Sequence, residues 1–595
     1  MTKSDSSNQS TGNGVNNAFL LLVAGLGGLL YGIDVGIIGG ALPYLEATSR
    51  LTTAQLSIIV AAVLLGSVLS TLFAGLLADA LGRKPLMVLS GAMFVASIPV
   101  IALSHGYGPL FLGRLLQGAS AGLIGIVVPL YLAECLSASN RGKGTGIFQW
   151  MLTLGIFVAA VVGIYYSYRV QAVSLTGGAS ALLRFKDQAW RRIFWVSLPP
   201  GALFLVGSLL VTESPRWLFR RGKEAQAHAV LLRSRTAEQA SVEMEEMRAT
   251  ALDNRQPGGG KNSGTLLRRK YVAPFLIACA ILFLNQTTGI NSIISYNTNI
   301  LLQSGLSDLL AHWGYVIFTA VNFLMTIVGV TLVDRKGRKF LLVLGTSGII
   351  VSMIAAGMLF LKTEGANVDA RDQIQGMVGA DQQLSMHFDP AQAEKLLAGD
   401  AGNGIASDHA SLAIIYSYGA FTASTSYVRS DDPSAVAMQI TRASCVPANK
   451  VEAFFKNPFA DLDAARVAPL RIVKAPIARI PDATHGWWVG ICLYGFVAFY
   501  ALGPGVCSWL ALSELMPTRI RSNGMSIALV LNQFASTTIA AFFLPFVGKH
   551  GYSSIFFLFG GFTVIYFLVA AFLLPETKNK TLEEIEAHFE ARGAR

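Results

Sequence analysis

Asp34 lies in Tyr31-Gly32-Ile33-Asp34-Val35-Gly36, inside an apolar run that extends from 18 to 43. A carboxylate at that depth in an apolar segment is expensive and normally faces a cavity or a partner. Arg114, near the start of the fourth apolar run, is the other charge set deep in a run of the first half. Burial disfavours the charged form of a carboxyl, whereas a neighbouring guanidinium favours it. A group pulled both ways can load and release a proton as its partner moves, with Asp34 as the carrier and Arg114 as its modulator. The competing reading is a static structural ion pair. A second chemistry is written twice. Asp79-Ala80-Leu81-Gly82-Arg83-Lys84 returns as Asp334-Arg335-Lys336-Gly337-Arg338-Lys339, and Glu134 with Arg141 seven residues on returns as Glu514 with Arg521. Carboxylates and guanidiniums at neighbouring helix ends can form bidentate pairs. Pairs among Asp79, Arg83, Glu134, Arg141, Asp334, Arg338, Glu514 and Arg521 could close one end of a channel and separate when it opens. Lys84 and Lys339 read as simple membrane-boundary anchors.

The elements that position these groups are membrane helices. The chain has 595 residues, 53% hydrophobic and 14% charged, with mean hydropathy +0.51; soluble domains carry nearer a quarter charged residues. Twelve apolar runs are long enough to cross a hydrocarbon core of about 30 Å: 18–43, 55–78, 86–104, 109–133, 145–168, 192–212, 272–302, 311–333, 340–361, 486–513, 524–547 and 553–574. Lipid leaves no partner for open backbone groups, so continuous runs of this length predict helices. A β-barrel would need alternating segments of about ten residues. The net charge of +11 concentrates in one set of short loops, at Arg83, Lys84, Arg141, Lys143, Arg335, Lys336, Arg338, Lys339, Arg519 and Arg521. The opposite loops hold little beyond Arg50 and Lys549. That asymmetry predicts both termini on the cytoplasmic side. It also argues against nucleic-acid binding, because the basic residues flank spans instead of covering one soluble face. Residues 1–17 form a polar tail without a cleaved-leader signature.

The repeat locates an insertion. Asp79 to Glu134 is 55 residues and Asp334 to Glu514 is 180, so the second half carries about 125 extra. The surplus is 362–485, extracytoplasmic by topology and too long for an ordinary loop; a small folded domain is expected there, with a partly disordered loop as the alternative. The domains predicted are therefore a tail at 1–17, a six-helix bundle at 18–212 and a linker at 213–271 with amphipathic helices near Glu224–Arg235 and Ala237–Ala251. After these come helices seven to nine at 272–361, the insertion at 362–485, helices ten to twelve at 486–574 and a cytoplasmic tail at 575–595. Of Cys135, Cys279, Cys445, Cys492 and Cys507, only Cys445 falls in the insertion, so no disulfide can form within it, and no metal-binding spacing occurs.

In order along the chain stand the paired loops; Pro129-Leu130-Tyr131-Leu132-Ala133-Glu134 with Arg141-Gly142-Lys143; and Glu213-Ser214-Pro215-Arg216-Trp217-Leu218. Gln286-Thr287-Thr288-Gly289-Ile290-Asn291, Gly503-Pro504-Gly505 through Trp509 to Glu514, and Pro575-Glu576-Thr577-Lys578 follow. Together they resemble the sugar porter family of the major facilitator superfamily, over nearly the whole chain except the insertion. The resemblance implies an all-α membrane protein of two six-helix bundles around a central site reached alternately from either side. Proton-coupled members of that family are similar to this chain in carrying an acid at the Asp34 position and an arginine at the Arg114 position. The resemblance also implies that Gln149, Asn285, Gln286, Asn291, Asn322 and Asn532 contact the sugar, with Trp509 as the stacking aromatic; an isolated membrane amide would otherwise read as a helix–helix hydrogen bond. The chain departs from the family pattern at Asn285, Ile156, Ser295 and Thr212.

The function expected is proton-coupled import of a monosaccharide through the plasma membrane or a bacterial inner membrane, by a monomer that takes the proton as coupling ion and needs no cofactor, metal or nucleic acid. The alternatives are a passive sugar or polyol facilitator and a non-transporting sensor, the latter disfavoured by the short stretch after Pro575. No phosphate-binding loop, nucleophile elbow or metal cluster suggests an enzyme.

Overall fold

The computed structural model describes residues 4–49, 51–136, 138–253, 269–365, 367–398, 405–432, 435–515, 521–576 and 578. Side chains of 4–16, 138–145, 250–253, 269–271, 334, 451, 455, 513, 521–523 and 526 fall outside that description. Eleven helices among the described residues are long and apolar enough to cross a membrane. The last of them, Ile527–Leu573, has 47 residues and would run about 70 Å at 1.5 Å per residue, more than twice a hydrocarbon core. Gly551 breaks it near the middle with φ 84°, a backbone geometry that favours glycine. The segment is two spans, and the total is the expected twelve.

Two other spans are broken helices. The seventh is Arg269–Thr287 followed by Ile290–Gln303, hinged at Gly289 with φ 84°. The tenth is Ala483–Leu502 followed by Pro504–Leu515; Pro504 lacks an N–H, so the ladder cannot run through it. The sixth span begins earlier than the apolar run suggests. Ala179–Trp195 is amphipathic and leads into Leu198–Leu210. Its charges interrupt the run and hid it from a hydropathy count. This helix brings Arg184, Lys186, Arg191 and Arg192 to the end where the opposite loops were expected to be nearly uncharged. Arg191 pairs with Asp187 and donates to the carbonyls of Ala102 and Ser104.

The first span, Asn17–Thr48, packs closely on the fifth, Gly146–Thr176, and a Cβ on Gly32 would collide with the Leu152 carbonyl. Small residues let helix backbones approach where lipid supplies no hydrophobic drive. The linker helices Glu224–Leu232 and Ala237–Asp253 form near where the sequence placed them. They are clipped together by Arg248 on Glu224 at 2.8 Å and by Arg235 on Glu243. Arg235 also donates to the Cys135 carbonyl at 2.9 Å, seating the linker on the first bundle.

The insertion is folded. Among its described residues it holds nine short strands: β1 (Asn367–Asp369), β2 (Leu384–Met386), β3 (Ala410–Leu412), β4 (Ile415–Tyr418), β5 (Phe421–Ser424), β6 (Val428–Arg429), β7 (Met438–Ile440), β8 (Leu470–Lys474) and β9 (Pro476–Arg479). They form sheets ordered β1-β9-β3-β6, β2-β7 and β5-β4-β8. Phe388, Leu412, Ile414, Tyr418, Ile472 and Ile477 belong to a core of its own, separate from the helices. Cys445 is buried there, its thiol donating to the Phe421 carbonyl at 3.2 Å; burial pushes its ionisation upward, which makes it inert. Leu412 is fully buried. Leu412→Ala should destabilise the insertion by about 2–5 kcal/mol, seen as faster amide exchange across 367–479 with the helices' protection unchanged; equal loss in both regions would mean one cooperative unit.

Candidate functional site

The repeated loops fold alike. Gly82 and Gly337 take φ 107° and 90°, and each starts the next helix. The open N–H groups of that helix end need an acceptor. Glu213 accepts from the amides of Arg83 and Lys84 at 2.9 and 3.2 Å, and Glu576 accepts from those of Arg338 and Lys339 at 3.1 and 3.2 Å. The negative carboxylates also oppose the positive helix ends. Arg83 reaches Glu134 at 2.9 Å and Asp79 at 3.1 Å, and Arg338 reaches Glu514 at 3.0 Å. Ser214 donates to the other Glu134 oxygen at 2.5 Å. Each of these pairs stays inside one half. The side chains of Arg141, Asp334 and Arg521, expected to join them, lie outside the described residues.

The halves are tied at the opposite end, beside the insertion. Asp308 accepts from Tyr44 at 2.9 Å and Ser167 at 2.6 Å. Asn299 donates to Glu46 at 2.5 Å, Tyr315 to the Gly36 carbonyl at 2.8 Å, and Trp313 to Tyr168 at 3.0 Å. Among the described residues, hydrogen bonds between the halves lie at this end or at mid-depth. The protein is therefore closed on the insertion side.

At mid-depth, Asp34 and Arg114 are both buried, with Nη1 3.7 Å from Oδ1. Arg114 donates to Gln117 at 2.7 Å and lies over the Phe194 ring. Neither carboxylate oxygen of Asp34 accepts a hydrogen bond among the described residues. The structure places these two charges, which the sequence singled out, side by side, while Gln117, Arg114's direct partner on the same helix face, gave no such signal.

The second half presents the amides at its broken helices. Asn285 donates to the Pro504 carbonyl at 3.1 Å and to Ser508 at 2.9 Å, and accepts from Tyr500 at 3.1 Å. Asn291 donates to Gln286 at 2.9 Å and Ser536 at 2.7 Å. Ser508 pairs with Tyr566 at 2.7 Å. At the Gly289 break the Thr287 and Thr288 hydroxyls donate to the Leu284 and Asn285 carbonyls, so helix-end acceptors there are met from within the span. Asn532 donates to the Leu282 carbonyl at 3.3 Å on the same seventh span. Gln149, Asn322 and Trp509 make no side-chain hydrogen bond to this cluster among the described residues; Asn322 is buried, Gln149 half-buried, and Trp509 is 47% exposed. Sequence reasoning missed Tyr500, Ser508, Ser536 and Tyr566, single hydroxyls in apolar spans that carry no spacing signal. It also missed Gln533, beside Asn532, which donates to Ser67 of the first half at 3.3 Å and shares a hydrogen bond with Tyr31, one turn before Asp34.

A protein-family model described as "Sugar (and other) transporter" matches residues 20–377 and 472–589. The chain belongs to that sugar transporter family. The family model passes over 378–471, the middle of the insertion. Among its relatives, the human proton myo-inositol cotransporter is 27% identical, covering 97% of this chain and 82% of that protein. The galactose-proton symporter of Escherichia coli K12 is 25% identical, covering 98% and 96%. The inward open conformation of the xylose transporter XylE from E. coli shares the fold at TM-score 0.62 and 20% identity, covering 96% of this chain and 98% of that one. The sugar transporter family and these neighbours are transporters and not enzymes.

The two repeated arginines of this family member differ in burial: Arg83 is 2% exposed and Arg338 15%. Removing the partner of a deeply buried charge costs about 3–5 kcal/mol. Glu134→Gln should therefore lower the melting temperature more than Glu514→Gln, measured side by side in detergent. Equal losses would show that burial does not set the strength of these pairs.

Proposed function

We propose that this protein imports a monosaccharide together with a proton by alternating access. The observation that carries the reading is the buried Asp34 carboxylate, which has an arginine at 3.7 Å and no hydrogen-bond donor among the described residues. A carboxylate held by one off-contact guanidinium and no hydrogen bonds has little to keep it charged in an apolar wall. A small movement of Arg114 would tip it to the neutral acid, and the return movement would release the proton. In this reading Tyr31, on Asp34's helix, and Gln533, which also donates to Ser67, link the proton step to the second half. A sugar bridging Gln149 of the first half to Asn285, Gln286, Asn291 and Asn532 of the second would draw the halves together around itself. Its hydroxyls would replace the amide–amide and amide–serine hydrogen bonds now filling the site, so unpaired polar groups need not arise. Asn322 and Trp509 complete the contact set in this reading.

In the same reading both termini and the repeated loops face the cytoplasm and the insertion faces outside. The pairs of Arg83 and Arg338 form the cytoplasmic gate with Arg141, Asp334 and Arg521. The protein works as a monomer in a plasma or bacterial inner membrane and needs no cofactor beyond the proton. The names of two relatives, the proton myo-inositol cotransporter and the galactose-proton symporter, support coupling. The first also favours a polyol such as inositol as a second reading of the substrate.

The test is uptake into proteoliposomes. An inside-alkaline gradient should raise accumulation of the transported sugar, and Asp34→Asn should abolish that gain while leaving downhill exchange. Equal uptake with and without the gradient would indicate a passive facilitator. Full accumulation by the Asp34→Asn variant would remove Asp34 from the proton path. A panel of labelled hexoses, pentoses and inositols identifies the substrate.

A further inference from the structure

We infer that the segment Ser424–Asp432 of the insertion is a latch that holds the two halves closed on the insertion side and must release the first half before that side opens. The inference rests on the alternating-access reading above. The segment's backbone is fixed to the insertion. Its strand β6 pairs with β3, Ser411 opposite Arg429 and Leu412 opposite Val428. Thr425 donates to the Ile414 carbonyl at 2.9 Å, and Ser430 to that of Ala410 at 2.8 Å. The insertion in turn belongs to the second half, since it leaves that half after Glu364 and rejoins it at Ala483. Arg429 strengthens this attachment by donating to the Leu302 carbonyl at 3.2 Å, and the Tyr427 ring lies 6.3 Å from that of Tyr552.

From this base the latch reaches across to the first half at three points. The Thr53 hydroxyl donates to the Ser424 carbonyl at 2.8 Å. Ser426 shares a side-chain hydrogen bond with Glu46. Lys186, on the amphipathic start of the sixth span, lies 3.4 Å from Asp432. Thr53, Glu46 and Lys186 sit on the second, first and sixth spans, so the latch grips three separate helices. Beneath it lies a cavity of about 560 Å³ walled by both halves and the latch, with Glu46, Asn299, Asp308 and Tyr427 among its lining.

Rocking the halves apart on this side moves Thr53, Glu46 and Lys186 away from a segment that cannot follow them. Each of these contacts exists only in the closed state, so each biases the equilibrium toward it; a contact present equally in both states would shift nothing. The sixth span's early start has a purpose in this account, because it carries Lys186 to Asp432.

Distance measurements between spin labels at Ser180→Cys and Lys549→Cys, exposed helix positions on opposite halves, test the inference in proteoliposomes without any substrate. The background carries no native cysteines. Thr53→Val with Lys186→Glu should enlarge the long-distance, open population about fivefold or more, since each lost hydrogen bond is worth roughly a factor of several. Exchanging the charges, Lys186→Asp with Asp432→Lys, should return it toward the parent value. An unchanged distance distribution in the weakened variant, or a charge exchange that opens the carrier as far as the weakened variant does, overturns the latch. Because the readout is a distance, it stands even if sugar uptake fails.

Discussion

Every backbone polar group left open at membrane depth must find its partner inside the protein, and much of this structure is organised by how it meets that demand. The seventh and tenth spans are broken where the proposed site lies, which frees backbone groups that an unbroken helix would pair internally. Beside the break at Gly503, Asn285 reaches the Pro504 carbonyl, while Tyr500, Ser508 and Tyr566 extend the same network. In the proposed reading these amides are the ones a polyhydroxylated ligand would use. A site of this kind is never bare: it exchanges internal hydrogen bonds for ligand hydrogen bonds, and selectivity follows from which exchange leaves fewest groups unpaired.

The repeated loops show a second use of the same demand. Their glycines turn the chain sharply, and the helix that follows starts with amides that nothing in the loop can satisfy. Glu213 and Glu576, far along the chain and each just after the last span of its half, supply the acceptor. The loop, the arginine beneath it and the returning glutamate therefore act as one joint in each half. The first joint is deeper and more completely enclosed than the second, so the halves share a design without sharing its strength.

Much of this was legible in the residues. Twelve apolar runs, twin charged loops and unequal spacing pointed to the spans and the insertion, and two charges deep in apolar runs singled out Asp34 and Arg114. What escaped has physical causes. The amphipathic start of the sixth span was hidden because Arg184, Lys186, Asp187, Arg191 and Arg192 interrupt its apolar run. The breaks at Gly289 and Gly503 leave no mark on hydropathy, since both halves of each span stay apolar. Tyr500, Ser508, Ser536 and Tyr566 are single hydroxyls whose role depends on which helix faces them. Glu213 and Glu576 were on the page as parts of two different motifs, and only their common position after spans six and twelve reveals a third repeat. The strands of the insertion are two to five residues long, too short for an alternating pattern to stand out.

One pairing within the insertion sets its standing in the chain. Strand β1, entered directly from the ninth span, lies antiparallel to β9, which leads directly back into the tenth, with Asn367 opposite Ala478 and Asp369 opposite Pro476. Paired strands sit about 4.8 Å apart, so the path leaves and re-enters the helices at nearly one point. The domain hangs on a two-stranded neck, and everything beyond that neck is topologically a cassette. A neck this narrow lets more than a hundred residues sit between two helix ends without asking either flanking helix to move.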